Sequence, residues 1–161
     1  MPDMDTNSAT QSDATLHSTA SFLLIDDDVS FIQVLSRILQ RYSDQRFATS
    51  CPEGLKLVQE RAPDLILLDI EMPDHDGFDF CKMLKSDPAF ADIPVIFITS
   101  HAKVPIAIAG FKLGAADFIT KPVNQTALLA RVSEQIEMKR AADKRQARLN
   151  ELLTGVRDNE E

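Results

Sequence analysis

Apolar residues along this chain fall into two alternating patterns. Short unbroken runs predict strands buried on both faces, and recurrence every three or four positions predicts amphipathic helices. The runs mark strands over residues 21–25, 65–69 and 95–99, residues 117–120 form a further strand, and residues 46–50 form a weaker strand suited to a sheet edge. After the first run, Phe31, Val34, Leu35, Ile38 and Leu39 predict a helix over residues 29–42. A second helix over 52–61 turns Leu55 and Val58 inward, and Pro52 suits its first turn. A third, over 76–85, carries Phe80, Met83 and Leu84, and a loop over 86–93 holds Pro88. The fourth helix, 104–113, has Pro105 near its start and Gly114 at its end. Gly110 in its interior costs about 1 kcal/mol relative to Ala. A last helix begins near Asn124, a favoured N-cap type, and packs through Leu128, Leu129, Val132 and Ile136.

Strand and helix alternate five times with no hairpin signal between strands. That pattern calls for a parallel sheet with helices on both faces, and right-handed crossovers leave few doubly wound topologies. Residues 1–19 are polar and nearly free of large apolar groups, so a disordered tail is expected there. Residues 140–161 read as a helical extension, with no Pro and no Gly before Gly155. Leu149, Leu152, Leu153 and Val156 give it a second apolar patch, but only alanines stand between Met138 and Leu149. A coiled-coil homodimer and a frayed, solvated tail are both compatible with this pattern.

Composition narrows the function classes. The 161 residues suit one domain plus tails, and 44% hydrophobic residues suffice for a core. A formal net charge of −8 argues against a nucleic-acid surface. No apolar run is long enough to cross a membrane, and the N-terminus lacks a basic-then-apolar signal, so the cytoplasm is the expected compartment. Cys51 and Cys81 show no ligand spacing and read as small half-buried thiols.

The chemistry lies at the strand ends. Asp26 and Asp27 follow the first strand, Asp69 ends the third, Thr99 ends the fourth and Lys121 follows the fifth. In a parallel sheet these ends share one edge, where ligands bind. Clustered carboxylates repel unless a cation joins them, and oxygen ligands without His or Cys suit Mg²⁺. A carboxylate nucleophile can accept a phosphoryl group, a transfer that needs positioning and charge cancellation more than acid–base help. Lys121 and a metal can cancel that charge, and the Thr99 hydroxyl can bond a phosphoryl oxygen. Residue by residue, a blander account competes: Asp26 to Asp28 as a helix cap, Thr99 as a strand terminus, Lys121 as a solvated cation. Capping does not account for one polar residue at the same end of each of several strands.

These residues carry a resemblance. Leu24-Ile25-Asp26-Asp27, Leu67-Leu68-Asp69-Ile70-Glu71-Met72-Pro73, Asp76-Gly77, Ile98-Thr99-Ser100, Gly114-Ala115-Ala116-Asp117 and Lys121-Pro122 resemble the motifs of the receiver domain of bacterial two-component response regulators. The resemblance covers about residues 21–139, so residues 20–139 are expected to form the domain. It implies a flavodoxin-like doubly wound five-stranded sheet in the order 2-1-3-4-5, with an extended C-terminal helix. It implies that Asp69 is the phosphoacceptor, that Asp27, Asp69 and the backbone carbonyl of Glu71 bind Mg²⁺, and that Asp26 orients metal-bound water. It implies that Lys121 partners the phosphoryl group, that Thr99 is the switch hydroxyl, and that Phe118 is an aromatic that turns inward with it. Ser100 is small and leaves the phosphoryl group accessible. The resemblance also implies that Glu71 and His101 flank the path of hydrolytic water, although His101 reads equally as an exposed loop imidazole.

The implied function is a signalling module, phosphorylated by a sensor histidine kinase or phosphotransfer protein. It is not an enzyme beyond its own phosphorylation and dephosphorylation. The alternative is a regulatory receiver fragment of a larger enzyme, such as a cyclic-dinucleotide cyclase, suggested by the helix that runs on past Lys139. An Asp-nucleophile phosphatase fits poorly, because Glu71 stands where such enzymes carry a second catalytic Asp.

Overall fold

The computed structural model describes residues 19–72, 77–100 and 104–158, and places five parallel strands in one sheet. These are β1 (Ser21–Ile25), β2 (Asp44–Ala48), β3 (Leu65–Asp69), β4 (Val95–Thr99) and β5 (Asp117–Thr120), in the order β2-β1-β3-β4-β5. Between and after them run α1 (Val29–Ile38), α2 (Cys51–Glu60), α3 (Gly77–Ser86), α4 (Val104–Lys112) and α5 (Gln125–Asp158). The expected doubly wound sheet in the order 2-1-3-4-5 is therefore present.

The unbroken apolar runs are explained by burial on both sides. Every residue of β1, β3 and β4 is buried. Successive side chains point to opposite faces, which splits each run between two cores. Leu23, Ile25, Ile66, Leu68, Val95 and Phe97 meet Val58 of α2 and Phe80 and Leu84 of α3. Phe22, Leu24, Leu65, Leu67, Ile96 and Ile98 meet Ile32 and Leu35 of α1 and Leu128, Val132 and Ile136 of α5. Both cysteines lie outside any disulfide and are buried, not half-buried as expected, because they face the core between the sheet and α2 and α3.

Gly110 has a reason beyond propensity. A Cβ there would stand 2.8 Å from Cδ2 of Phe97, so α4 approaches β4 closely only because the side chain is absent. Gly114 ends α4 at φ +96, a conformation that favours glycine.

Several boundaries differ from the sequence reading. The edge strand is Asp44–Ala48, not 46–50, because Thr49 and Ser50 serve the next helix. Ser50 Oγ accepts from Glu53 N at 3.3 Å, and Glu53 Oε2 accepts from Thr49 N at 3.1 Å. This is the reciprocal logic of a helix-entry cap. The first helix stops at Ile38, not residue 42, although Leu39 and Tyr42 are fully buried. Gln45 Nε2 donates to Leu39 O at 2.8 Å and Tyr42 O at 2.9 Å, and so satisfies carbonyls that the helix leaves open. Apolar spacing beyond Ile38 reported burial, not helix. Val34 and Met83, both placed on apolar helix stripes, are exposed. Asn124 does cap the last helix, its Oδ1 accepting from Ala127 N at 2.9 Å.

α5 is one continuous helix of 34 residues. Its first turns pack on the sheet, and Arg131 pairs with Asp117 at 2.7 Å. Lys139 then approaches Asp64 at 3.7 Å, and Arg140 donates to Thr19 Oγ1 at 3.3 Å. Thr19 and Asp64 precede β1 and β3, so the helix leaves the domain at the sheet edge opposite Asp69. Of the expected tail over residues 1–19 only Thr19 is described, and Pro73, Asp76 and His101 also lie outside the described residues.

Candidate functional site

Parallel strands deliver Asp26, Asp27, Asp69, Thr99 and Lys121 to one edge, as their places in the chain require. Asp26 is 2% exposed and Asp69 5%, whereas Asp27 is exposed. Each of the three offers a carboxylate oxygen, and these oxygens lie within 4.8 Å of one another. The capping account holds for Asp28 alone. Its Oδ1 accepts from Ser30 N at 3.0 Å and Phe31 N at 3.3 Å, at the start of α1.

Lys121 bridges the two buried acids. Its Nζ donates to Asp26 Oδ2 at 3.0 Å and lies 3.6 Å from Asp69 Oδ2. Asp26 Oδ1 also accepts from Asp28 N at 2.9 Å, and Asp69 Oδ1 from Glu71 N at 2.9 Å. Burial pushes the Asp26 carboxyl above the usual carboxylate range, helped by the charge of Asp69 and opposed by Asp28 N–H and Lys121. Burial also pulls hardest on Lys121, downward, but the bond to Asp26 and the charges of Asp26 and Asp69 outweigh it and hold the ammonium above its ordinary value.

Two contacts were not foreseen. Lys121 Nζ lies 4.0 Å from the centroid of the Phe31 ring, a cation–π distance. Phe31 had read only as part of a helical stripe, and no sequence signal distinguishes the two roles. The Glu71 carboxylate reaches β4, where Oε1 accepts from Thr99 Oγ1 at 2.7 Å and Oε2 from Ser100 Oγ at 2.7 Å. Phe118 is half-buried, its ring edge-on to Phe97 with centroids 6.2 Å apart.

The donor set fits a hard divalent cation. Among the described residues three carboxylates and no His or Cys form the cluster, and Asp27 is exposed to water. Mg²⁺ takes oxygen ligands and keeps several waters. Two negative groups buried beside one ammonium leave charge for such an ion to neutralise.

Residues 22–133 match the family model of the response regulator receiver domain. The chain belongs to this family. Response regulator PleD of Caulobacter vibrioides is 36% identical over 126 residues, covering 78% of this chain and 28% of PleD. The DNA-binding dual master transcriptional regulator RpaA of Synechocystis is 39% identical over 111 residues, covering 68% of this chain and 46% of RpaA. The chain thus spans under half the length of either relative. Among solved structures, the chemotaxis response regulator CheY4 of Vibrio cholerae aligns with a TM-score of 0.68 at 28% identity, covering 73% of this chain and 98% of CheY4. Nearly all of the CheY4 chain takes part in that alignment, so the two share the receiver fold. No helix among the described residues is long and apolar enough to cross a membrane.

Proposed function

We propose that this receiver is a phosphorylation-activated switch in two-component signalling, with Asp69 as the phosphoacceptor. A sensor histidine kinase or phosphotransfer protein presents a phosphohistidine. An Asp69 oxygen attacks phosphorus, the P–N bond breaks, and histidine leaves. The observation that carries this reading is Lys121 spanning Asp26 and Asp69, which puts a retained positive charge where phosphoryl oxygens gather. Asp27, Asp69 and the backbone carbonyl of Glu71 are the groups that would hold Mg²⁺, with Asp26 orienting its water. Bound there, the ion supplies further charge cancellation on the phosphoryl oxygens. The Thr99 hydroxyl then turns to the phosphoryl group, and Phe118 moves inward behind it. A Phe at that place buries no hydroxyl needing a partner. Catalysis is limited to the domain's own phosphorylation and dephosphorylation, and its place is the cytoplasm.

Intact-mass analysis with acetyl phosphate and Mg²⁺ tests the assignment. One phosphoryl adduct is expected in the native chain and none in Asp69→Asn. Stoichiometric labelling of the Asn variant rejects it.

The projecting part of α5 supports a second element, a homodimer formed with another copy of the chain. Leu149, Leu152 and Leu153 are each more than half exposed. They lie roughly a third of a turn round the helix from Leu128, Val132 and Ile136, so the domain does not cover them. Met138, Ala142, Arg145, Leu149, Leu152 and Val156 follow alternating spacings of four and three, the seam of a two-stranded coil. On this reading residues 20–139 are the receiver and 140–161 the pairing element. The short span relative to PleD and RpaA supports the other reading, a regulatory receiver within a larger protein such as a cyclic-dinucleotide cyclase. Reading the gene beyond the codon for Glu161 separates them.

A further inference from the structure

Glu71 enters the site twice. Its N–H donates to Asp69 Oδ1 at 2.9 Å, which ties the chain after β3 to the acceptor carboxylate. Its own carboxylate turns the other way and accepts from two consecutive hydroxyls at the end of β4, Thr99 Oγ1 and Ser100 Oγ, each at 2.7 Å. Thr99 has a single hydroxyl hydrogen. That hydrogen cannot serve Glu71 and a phosphoryl oxygen on Asp69 at once. Thr99 is fully buried, so water is a poor substitute for either partner. A hydrogen bond to a carboxylate is also roughly twice as strong as a neutral one.

We propose that the Glu71 carboxylate is a positioning residue that latches the Thr99 hydroxyl in its resting orientation, so that the switch turns only when a phosphoryl group outcompetes it. The inference rests on the assignment of Asp69 and Thr99 above and adds the group that opposes them. A phosphoryl group on Asp69 brings up to about two negative charges. It competes for the Thr99 hydrogen and repels the carboxylate two residues along the chain. Both effects act on the same bond and in the same direction. Ser100 takes the second oxygen of Glu71 and so holds the latch in place. A ligand shifts an equilibrium only by favouring one state over another, and the latch sets the resting state against which phosphorylation works. Removing the carboxylate raises the resting population of the switched Thr99 orientation by about tenfold.

The test uses the full chain with methyl-labelled threonine. In the unphosphorylated protein, Glu71→Ala is expected to move the Thr99 methyl signal toward the position that the native chain takes with beryllofluoride and Mg²⁺. Glu71→Gln keeps one acceptor oxygen and is expected to stay near the native position, and Ser100→Ala to fall between. An unmoved Thr99 signal in Glu71→Ala overturns the latch. Labelling by acetyl phosphate supplies the second arm. Glu71→Ala is expected to speed labelling when Thr99 is present and to have no effect in a Thr99→Val background. An equal effect in both backgrounds means that Glu71 acts on the phosphoryl chemistry directly, and the latch is wrong. If the native chain takes no label at Asp69, the proposed function fails, while the methyl signal of the unlabelled protein still decides the latch.

Discussion

Lys121 Nζ stands 3.0 Å from Asp26 Oδ2 but 3.6 Å from Asp69 Oδ2. The cation is anchored on the acid that follows β1 and leans toward the one that ends β3. Asp69 therefore keeps one oxygen only loosely engaged, which suits the phosphoacceptor role proposed for it. Asp26 is held in place at a cost, since burial raises its carboxyl above the ordinary value.

Asp26→Asn separates that cost from its use. The Asp26 carboxyl lies above its ordinary 3.8 in the folded chain. Between 3.8 and the raised value, the folded state binds more protons than the unfolded state. Stability from this group is thus fully present below pH 3.8 and falls as pH rises through the folded value. An amide does not titrate. In chelator, urea unfolding across this range is expected to show the native chain losing stability relative to Asp26→Asn as pH rises. Mg²⁺ should reverse the trend near neutral pH, because a ligand at a hundred times its dissociation constant adds about 2.7 kcal/mol to the state that binds it. The Asn variant should gain less. An equal gain in both chains assigns Asp26 no part in metal binding.

Gly77→Ala tests how tightly the chain folds back beneath Asp69. A Cβ at Gly77 would lie 2.8 Å from Ile70 Cα and 3.1 Å from Asp69 O. Both are backbone atoms, so no rotamer relieves the clash. A loss of about 1–3 kcal/mol in urea unfolding is expected, as for overpacking elsewhere. Slower labelling of Asp69 should accompany it. Gly54→Ala is the control. Its closest contact, 2.6 Å, is to Cδ1 of Ile25, the end of a side chain that can turn. Its stability loss should be smaller and its labelling rate unchanged.

The projecting helix makes a prediction about mass. Leu149→Glu with Leu152→Glu places charges on the proposed seam. Sizing with light scattering should show two chains for the native protein and one for the double variant. Far-ultraviolet circular dichroism should show lost helix, since most helical stability in proteins comes from packing of an apolar face. The urea midpoint of the receiver should not move. A native protein that runs as one chain at tens of micromolar removes the homodimer.

Much of this molecule follows from its sequence alone. The bounds of β1, β3 and β4 were legible because strands covered on both faces leave apolar runs, which a polar residue ends. For the same reason the strand-end acids, Thr99 and Lys121 stood out, and a parallel sheet left them one edge to share. Tertiary packing decided the rest. It shortened α1 while still burying Tyr42, exposed Val34 and Met83, and moved the edge strand two residues toward the N-terminus. It chose Asp28 as the cap and Asp26 as the partner of Lys121, although three consecutive aspartates are chemically alike. It turned Glu71 onto Thr99 and laid Phe31 beside Lys121. A local pattern records which face of an element is apolar. Which side chains meet across that face depends on elements far apart in the chain, and no local pattern carries that information.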